Sequence, residues 1–146
     1  MTTPQLVEDL KRDEGLRLRA YPDPETGADP WTIGYGHTGR EVHPGLVWTQ
    51  IQAEAALNVD IAATERGLNT ALPWWEHLDD IRQDAVANWA FNAGLHGVLE
   101  FQDTLAALKA GNWTLAASNL LNSKAARELP QRYSRLARMI ATGRRP

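Results

Sequence analysis

The 146-residue chain is long enough for one domain with a real core, and its 43% apolar content favours a packed globule over disorder. It contains no cysteine, which excludes a disulfide scaffold, a cysteine-ligated zinc site and a thiol nucleophile. The formal net charge is −3, yet residues 124–146 carry seven basic side chains and one acid, a local charge of +6. Such a basic segment favours anionic polymers or membrane surfaces, or it is the solvated face of a helix.

The first predicted element is a helix over residues 3–14. Thr3 is a suitable N-cap, and Pro4 is tolerated at the first helical position. Apolar residues then recur at helical spacing, and Gly15 suits the C-terminal cap. Glu14 is therefore expected in the last turn of this helix.

A small antiparallel hairpin is predicted next. Leu16, Leu18 and Ala20 alternate with polar side chains, which is the period of a half-buried strand. A turn-rich break over residues 22–30 separates this strand from a second one over residues 31–35. Val42, or Leu46 with Val47, are candidates to extend the hairpin.

The remainder is predicted to be helical. Thr49 and Gln52 match a capping box, and a long helix should follow to about residue 69. Asp79 or Asp80 can cap the next helix, which should end at Gly94. Its expected buried positions are Ile81, Ala85, Val86, Trp89 and Ala90. Three further helices are predicted over residues 103–110, 113–122 and 130–142, with Gly111 and Gly143 ending two of them.

These elements predict a mainly helical α+β fold in a single domain, residues 1–146, with two lobes. A small N-terminal lobe is expected over residues 15–50, and the long helix over residues 49–69 should join it to a helical lobe over residues 70–146. The helix over residues 3–14 is expected to pack on the helical lobe. A ligand groove between the lobes would follow from this arrangement.

The N-terminal third also carries the residues that suggest chemistry. Cleavage of a glycosidic bond by acid–base catalysis needs two carboxyl groups, one to protonate the leaving oxygen and one to activate a water. Glu14 and Asp23 supply the carboxyls, and Thr32 and His37 follow on a glycine-punctuated strand. Each residue alone is a weak signal, since Glu is usually on the surface and Asp is common in turns.

Longer sequence motifs strengthen the prediction of glycosidic bond cleavage. The runs Asp13-Glu14-Gly15-Leu16-Arg17-Leu18, then Tyr21 and Asp23, then Thr32-Ile33-Gly34-Tyr35-Gly36-His37 resemble the pattern of phage-type lysozymes, the endolysins of glycoside hydrolase family 24. Later segments also match that family in order: residues 90–94, 101–105, 116–120, 130–132 and 142–143. The resemblance spans nearly the whole chain and implies a lysozyme-like fold.

The resemblance implies a role for each matching residue. Glu14 falls on the general acid, Asp23 on the second carboxylate, and Thr32 on the hydroxyl that positions the attacking water. Phe91, Thr104 and Asn119 fall on positions that contact the sugars, and Thr38 falls near another such position, where its residue type differs from that of the best-known relative. Arg132 matches a basic residue close to the acid, and His37 and Asn92 are assigned supporting roles, with His37 bracing the hairpin.

One departure from the family pattern affects the second carboxylate. The segment from Asp23 to Thr32 is a few residues longer than in well-known relatives, and it adds Glu25 and Asp29. Asp29 is the alternative to Asp23. Asp23 is preferred because it follows Tyr21 as the family's aspartate does.

The function implied is that of an endolysin that hydrolyses the β-1,4 bond between N-acetylmuramic acid and N-acetylglucosamine in peptidoglycan, with inversion at the anomeric carbon. No metal, organic cofactor or nucleic acid partner is expected, and the protein should be a monomer. The N-terminus has no recognisable signal peptide or membrane anchor. The protein is therefore expected in the host cytoplasm until a separate membrane hole-forming protein, a holin, releases it to the wall.

Three alternatives stay open at this point. A lytic transglycosylase cuts the same bond with the substrate's own hydroxyl, although it usually lacks the Asp and Thr pair. A non-catalytic wall-binding module would keep only the groove. Membrane disruption could come from the amphipathic helix over residues 130–142, although such faces more often point into a core.

Overall fold

A computed structural model describes residues 1–146 and confirms a mainly helical α+β fold. The elements in chain order are α1 Pro4–Glu14, β1 Arg17–Tyr21, β2 Thr32–Gly34, β3 His37–Thr38, α2 Gln50–Ala71, a 3-10 helix Pro73–His77, α3 Asp80–Leu99, α4 Gln102–Ala110, α5 Trp113–Leu121, α6 Lys124–Glu128 and α7 Pro130–Thr142. None of these helices combines the length and apolar character that a membrane crossing requires.

The chain divides into two compact units. One unit, called the hairpin unit below, comprises Val7–Ala62, and the other, the helical unit, comprises Met1–Leu6 with Ala63–Pro146. The boundaries fall inside α1 and α2. The lobe boundaries expected from the sequence, 15–50 and 70–146, stay a prediction.

The sheet of the hairpin unit has three antiparallel strands in the order β1-β2-β3. The third strand comes directly after a tight turn at Gly34–Gly36, earlier than the sequence suggested. Val47 nevertheless forms a bridge to Arg19, and the Ala20 amide donates to the Leu46 carbonyl at 3.0 Å. The expected extension by residues 46 and 47 therefore exists, on the outer side of β1.

The predicted alternation in β1 is only partly correct. Ala20 is buried, but Leu16 and Leu18 are exposed. The core of this sheet consists of Ala20, Ile33 and Val42, with Trp31, Leu46 and Trp48 packed against it. Because this small cluster covers only the end of β1 near Ala20, the two leucines extend beyond it.

The helix boundaries mostly follow the predicted caps. The Thr49 amide donates to Gln52 Oε1 at 2.8 Å and the Gln52 amide to Thr49 Oγ1 at 3.2 Å, which confirms the capping box of α2. Asp79, rather than Asp80, caps α3. The backbone leaves the helical conformation at Gly94 as predicted, with φ +79°, but a helical segment resumes and extends to Leu99.

The short helix α6 was missed by the sequence analysis. Its N-cap is Ser123, whose side chain accepts a hydrogen bond from the Ala126 amide. At five residues it has too few apolar positions to show a helical period. Only the Ser123 cap signalled it.

The amphipathic helix α7 packs against α3 and α5 within the helical unit. Its apolar side chains Tyr133, Leu136 and Ile140 are all buried, as are Ala137 and Met139. Because this face is already covered by protein, α7 has no free apolar face with which to enter a lipid bilayer. The structure thus disfavours the membrane-disrupting alternative.

Candidate active site

The last turn of α1 presents the Glu14 carboxyl to the hairpin. Leu10 is fully buried one turn earlier, and Lys11 Nζ lies 3.0 Å from Glu54 Oε1 on α2. These contacts hold the end of α1 in place. Gly15, at φ +72°, then turns the chain directly into β1.

The Glu14 carboxyl lies against the backbone of Gly36. A Cβ built on Gly36 would stand 2.6 Å from Glu14 Oε1 and 3.1 Å from Glu14 Cδ, so a larger residue here would displace the end of the Glu14 side chain. Gly36 also has φ +75°, a conformation that L-residues rarely adopt. Only glycine therefore permits both the turn and the close approach of the carboxyl.

Three hydroxyl-bearing side chains lie in a row across the sheet. Tyr21 on β1 is the register partner of Thr32 on β2, and Thr32 is the partner of Thr38 on β3. Directly opposed residues in an antiparallel sheet project from the same face, so the three side chains share one face. The structure thus brings together Thr32 and Thr38, two of the predicted site residues.

Tyr21 links this row to Glu14. Burial raises the pKa of the Tyr21 phenol. The Arg17 guanidinium, 4.6 Å from the ring centroid, opposes this rise, whereas the Glu14 charge adds to it. Tyr21 also hydrogen bonds with Thr32. Sequence reasoning noted Tyr21 only as a motif residue, because its contact with Thr32 depends on strand register.

The two candidate second carboxylates differ in their surroundings. Asp23 is half-buried, and its backbone closes the turn through hydrogen bonds with Gly27 at 2.7 Å and Ala28 at 3.0 Å. Its Oδ1 accepts from the Glu25 amide at 3.0 Å. Asp29, by contrast, is exposed. The longer turn is therefore an ordered structure that holds Asp23 at its base.

His37 lies on the opposite face of the sheet from Thr32, since its register partner is the buried Ile33. Its Nδ1 is 2.7 Å from Asp60 Oδ2 on α2, and its Nε2 is 2.6 Å from Glu41 Oε1. The ring also packs on Trp48, with centroids 5.3 Å apart. These contacts suit the predicted bracing role.

The carboxylates of Glu41 and Asp60 also change the pKa of His37. Desolvation lowers its pKa, but the hydrogen bonds and charges of Glu41 and Asp60 outweigh that effect, so the pKa is raised. The same hydrogen bond lowers the pKa of Glu41. The protonated imidazole is thus favoured in the folded protein.

We expect His37→Gln to remove a pH-dependent part of the stability. A folded-state pKa above the unfolded value means that the protonated ring stabilises the fold below about pH 6.5, and that this stabilisation is lost as pH rises through the folded-state pKa. Hydrogen bonds to charged groups predict a loss of about 1.5–3 kcal/mol in unfolding free energy at about pH 5–6. Urea unfolding as a function of pH measures it.

His43→Gln is the matched control. His43 is exposed, and its Nδ1 faces the carbonyl of the neighbouring Pro44 at 2.9 Å. Its replacement should change the unfolding free energy little at any pH. A pH-independent loss in His37→Gln would show that packing, not charge, accounts for the brace.

The helical unit carries the other predicted sugar-contact residues. Thr104 is buried and Asn119 is half-buried, and both line an open depression of about 270 Å³ together with Phe101 and Asn122. Phe91 is half-buried on α3 and is not among the residues that line this depression. The structure therefore places Thr104 and Asn119 on one depression, and the grouping of Phe91 with them stays a prediction.

The supporting residues of the helical unit are held by two neighbouring side-chain pairs. The buried Arg132 donates from Nε to Asn88 Oδ1 at 2.9 Å, and the Tyr133 hydroxyl donates to Asn92 Oδ1 at 2.5 Å. The sequence analysis did not identify Asn88 and Tyr133 as the hydrogen-bond partners of Arg132 and Asn92. A polar Asn88 among the apolar residues of α3 was the available signal, because buried polar groups require hydrogen bonds.

The chemistry that this arrangement can perform is acid–base catalysis. The Glu14 carboxyl lies against the turn at Gly36, the hydroxyl row crosses the sheet, and the Asp23 carboxylate accepts a hydrogen bond in the turn after β1. No group of three or more His, Asp or Glu side chains is placed to hold a metal ion.

Comparisons with known proteins give one family model and several relatives. The model of the family described as phage lysozyme matches residues 11–137. The endolysin of Bacillus phage B103 is 37% identical, with 77% of this chain and 41% of that protein covered. The pre-baseplate central spike protein Gp5 of Enterobacteria phage T4 is 32% identical, with 94% of this chain and 28% of that protein covered.

A relative of similar length is also known. The probable T4-type lysozyme 1 of Dictyostelium discoideum is 28% identical, with 92% of both chains covered. The chain spans 28% to 55% of the length of several phage relatives that it matches. Since the family model covers most of the sequence, this protein belongs to the phage lysozyme family.

Proposed function

We propose that this protein is a muramidase, a glycoside hydrolase that cleaves the β-1,4 bond between N-acetylmuramic acid and N-acetylglucosamine in bacterial peptidoglycan. The observation that carries the proposal is the position of Glu14, whose carboxyl lies against Gly36 at the turn after β2. The turn comes directly after β2, the strand that begins with Thr32, the middle residue of the hydroxyl row. Membership of the phage lysozyme family supports the same chemistry.

In the proposed mechanism Glu14 is the general acid that protonates the glycosidic oxygen. Thr32 Oγ1 and Asp23 hold the attacking water on the opposite face of the sugar. Asp23 Oδ1 is engaged by the Glu25 amide, so its second oxygen, Oδ2, is the one we assign to the water. Tyr21 orients the Thr32 hydroxyl through their hydrogen bond.

Water-mediated attack inverts the anomeric centre. It requires carboxyl groups roughly 6.5–9.5 Å apart, against about 5–5.5 Å for a retaining pair. We therefore infer a separation in the larger range for Glu14 and Asp23 in the substrate complex. A complex with a chitooligosaccharide would measure it, and a separation near 5 Å would contradict inversion.

Sugar binding is assigned to Thr38 in the hairpin unit and to Phe91, Thr104 and Asn119 in the helical unit. The depression beside Thr104 and Asn119 offers a buried hydroxyl and an amide to a polar ligand. Arg132 and Asn92 support this surface through their contacts with Asn88 and Tyr133.

The proposal extends to the biological role. We infer that the protein acts as a monomer on the host wall at phage release, after a holin opens the cytoplasmic membrane. Endolysins among the relatives support a role in lysis. A phage spike protein is also among the relatives, so a virion-carried role during entry is the alternative to a role at release. Measuring when lysis occurs after infection would distinguish the two roles.

Product analysis tests the proposed reaction. Purified protein should clear peptidoglycan sacculi and release fragments that end in reducing N-acetylmuramic acid. Proton NMR of fresh products should show the α-anomer first, because inversion converts the β-linkage. Anhydro-sugar ends would identify a lytic transglycosylase instead, and binding without cleavage would identify a wall-binding module.

A further inference from the structure

A second depression lies beyond the C-terminal end of α7. It has a volume of about 420 Å³ and is lined by Arg138, Thr142, Arg144, Arg145 and Pro146. None of these residues has a part in the proposed hydrolysis. Three arginines around one open depression form a strongly cationic surface, which is expected to attract anions.

The turn that carries these arginines is well ordered. Thr142 Oγ1 donates to the Arg138 carbonyl at 2.7 Å and accepts from the Arg144 amide at 3.1 Å. Gly143 ends α7 in the left-handed conformation, with its amide 2.8 Å from the Met139 carbonyl. The backbone from Arg138 to Arg144 is therefore held in one conformation, which reduces the entropy cost of binding a ligand there.

Arg145 has a structural partner. Its guanidinium forms an ion pair with Asp84, whose side chain is fully buried on α3. The Asp84 carboxylate also accepts from the Thr3 amide at 2.8 Å. This pair fixes the chain at residue 145 and leaves less of its charge for a ligand.

A different arginine, Arg82, binds the carbonyl groups at the negative, C-terminal end of α7. Arg82 Nε donates to the Ile140 carbonyl at 2.7 Å, and its guanidinium stacks on Trp113 at 3.9 Å from the ring centroid. Arg138 and Arg144 are therefore not needed to stabilise the helix terminus. Both side chains are exposed on the wall of the depression.

We propose that this depression, with Arg138 and Arg144 as the binding groups, is a site for the phosphodiester groups of an anionic wall polymer. The planar guanidinium group donates two parallel hydrogen bonds to phosphate oxygens, a geometry that lysine lacks. The volume of about 420 Å³ accommodates a phosphate and the groups joined to it. An exposed site on an open surface suits a polymer better than a small enclosed ligand.

The site would retain the enzyme on the wall between cleavage events. This role depends on the proposed function, but binding itself does not, because a poly(glycerol phosphate) chain contains no glycosidic bond for the enzyme to cut. Attraction between exposed charges is screened by salt, so binding should weaken as ionic strength rises.

The test is isothermal titration calorimetry of the full chain with short poly(glycerol phosphate) at low ionic strength. The double variant Arg138→Gln/Arg144→Gln should bind about tenfold more weakly, or not at all, since it loses charge-assisted hydrogen bonds. The matched control is Lys109→Gln/Arg127→Gln, which removes the same charge from exposed positions on α4 and α6. It should change binding less than about twofold.

Two further ligands test which kind of anion the site binds. Poly-glutamate carries the same charge on carboxylates, and equal binding of it would overturn the preference for phosphate. Vesicles of phosphatidylglycerol carry phosphate on a lipid, and binding to them without binding to the polymer would assign the site to membranes. Equal losses in the two double variants would overturn the site itself, even if the protein cleaves peptidoglycan.

Discussion

Glu14→Gln should leave a folded protein that binds peptidoglycan but does not cleave it. Gln keeps the size of the side chain and its contact with Gly36, but it cannot give a proton to the glycosidic oxygen. General acid catalysis contributes about 10²–10⁴-fold, so the rate of clearing of sacculi should fall by at least that factor. Turbidity measurements with mass spectrometry of the released fragments provide the readout.

Glu8→Gln is the control for this variant. Glu8 lies on the same helix and is exposed, with Lys11 Nζ 3.8 Å from its Oε1. The same chemical change there should leave the cleavage rate within about twofold of wild type and stability nearly unchanged. A folded Glu14→Gln protein that clears sacculi as fast as Glu8→Gln would remove Glu14 from the role of acid.

Gly36→Ala should reduce both stability and activity. A Cβ at this position would be 2.6 Å from Glu14 Oε1, so the carboxyl must move away from its place on the turn. A displacement of about 1 Å can cost about 100-fold in rate, and we expect a loss of that size in cleavage. The positive φ of +75° adds a cost of about 1–2 kcal/mol in unfolding free energy.

Gly45→Ala separates these two effects. Gly45 also has a positive φ, +86°, but nothing lies within 4 Å of a Cβ built there. Its replacement should lower the unfolding free energy by about 1–2 kcal/mol, as the positive φ does in Gly36→Ala, and leave the cleavage rate nearly unchanged. If both variants lose activity in proportion to stability, the contact between Gly36 and Glu14 has no part in catalysis.

Much of the secondary structure could be predicted because its causes are local. The capping box of Thr49 and Gln52, the Asp79 cap and the turn at Gly143 each depend on residues within one helical turn. The position of Glu14 at the end of α1 follows in the same way, from Gly15. The resemblance to phage-type lysozymes was also visible in the motifs, and the family match confirms it.

Other features could not be predicted, because they depend on the size of the core and on register. Leu18 has the pattern of a buried residue but is exposed, since the cluster around Ile33 covers only the end of β1 near Ala20. The partnership of Tyr21 with Thr32 required the strand pairing. The role proposed for each site residue stays a prediction until the variants are measured.

The sequence by itself therefore determined the longer helices and their order, the family, and which residue types are available for acid–base chemistry. Helix caps, turns and motifs are short-range, so neighbouring residues in the chain already contain the necessary information. Only the tertiary structure decided that Gly36 is the surface on which Glu14 rests, and that Asp60 and Glu41 hold His37. The contacts of Glu14 with Gly36 and of His37 with Asp60 join residues that are distant along the chain, and their geometry exists only once the helices and strands have packed.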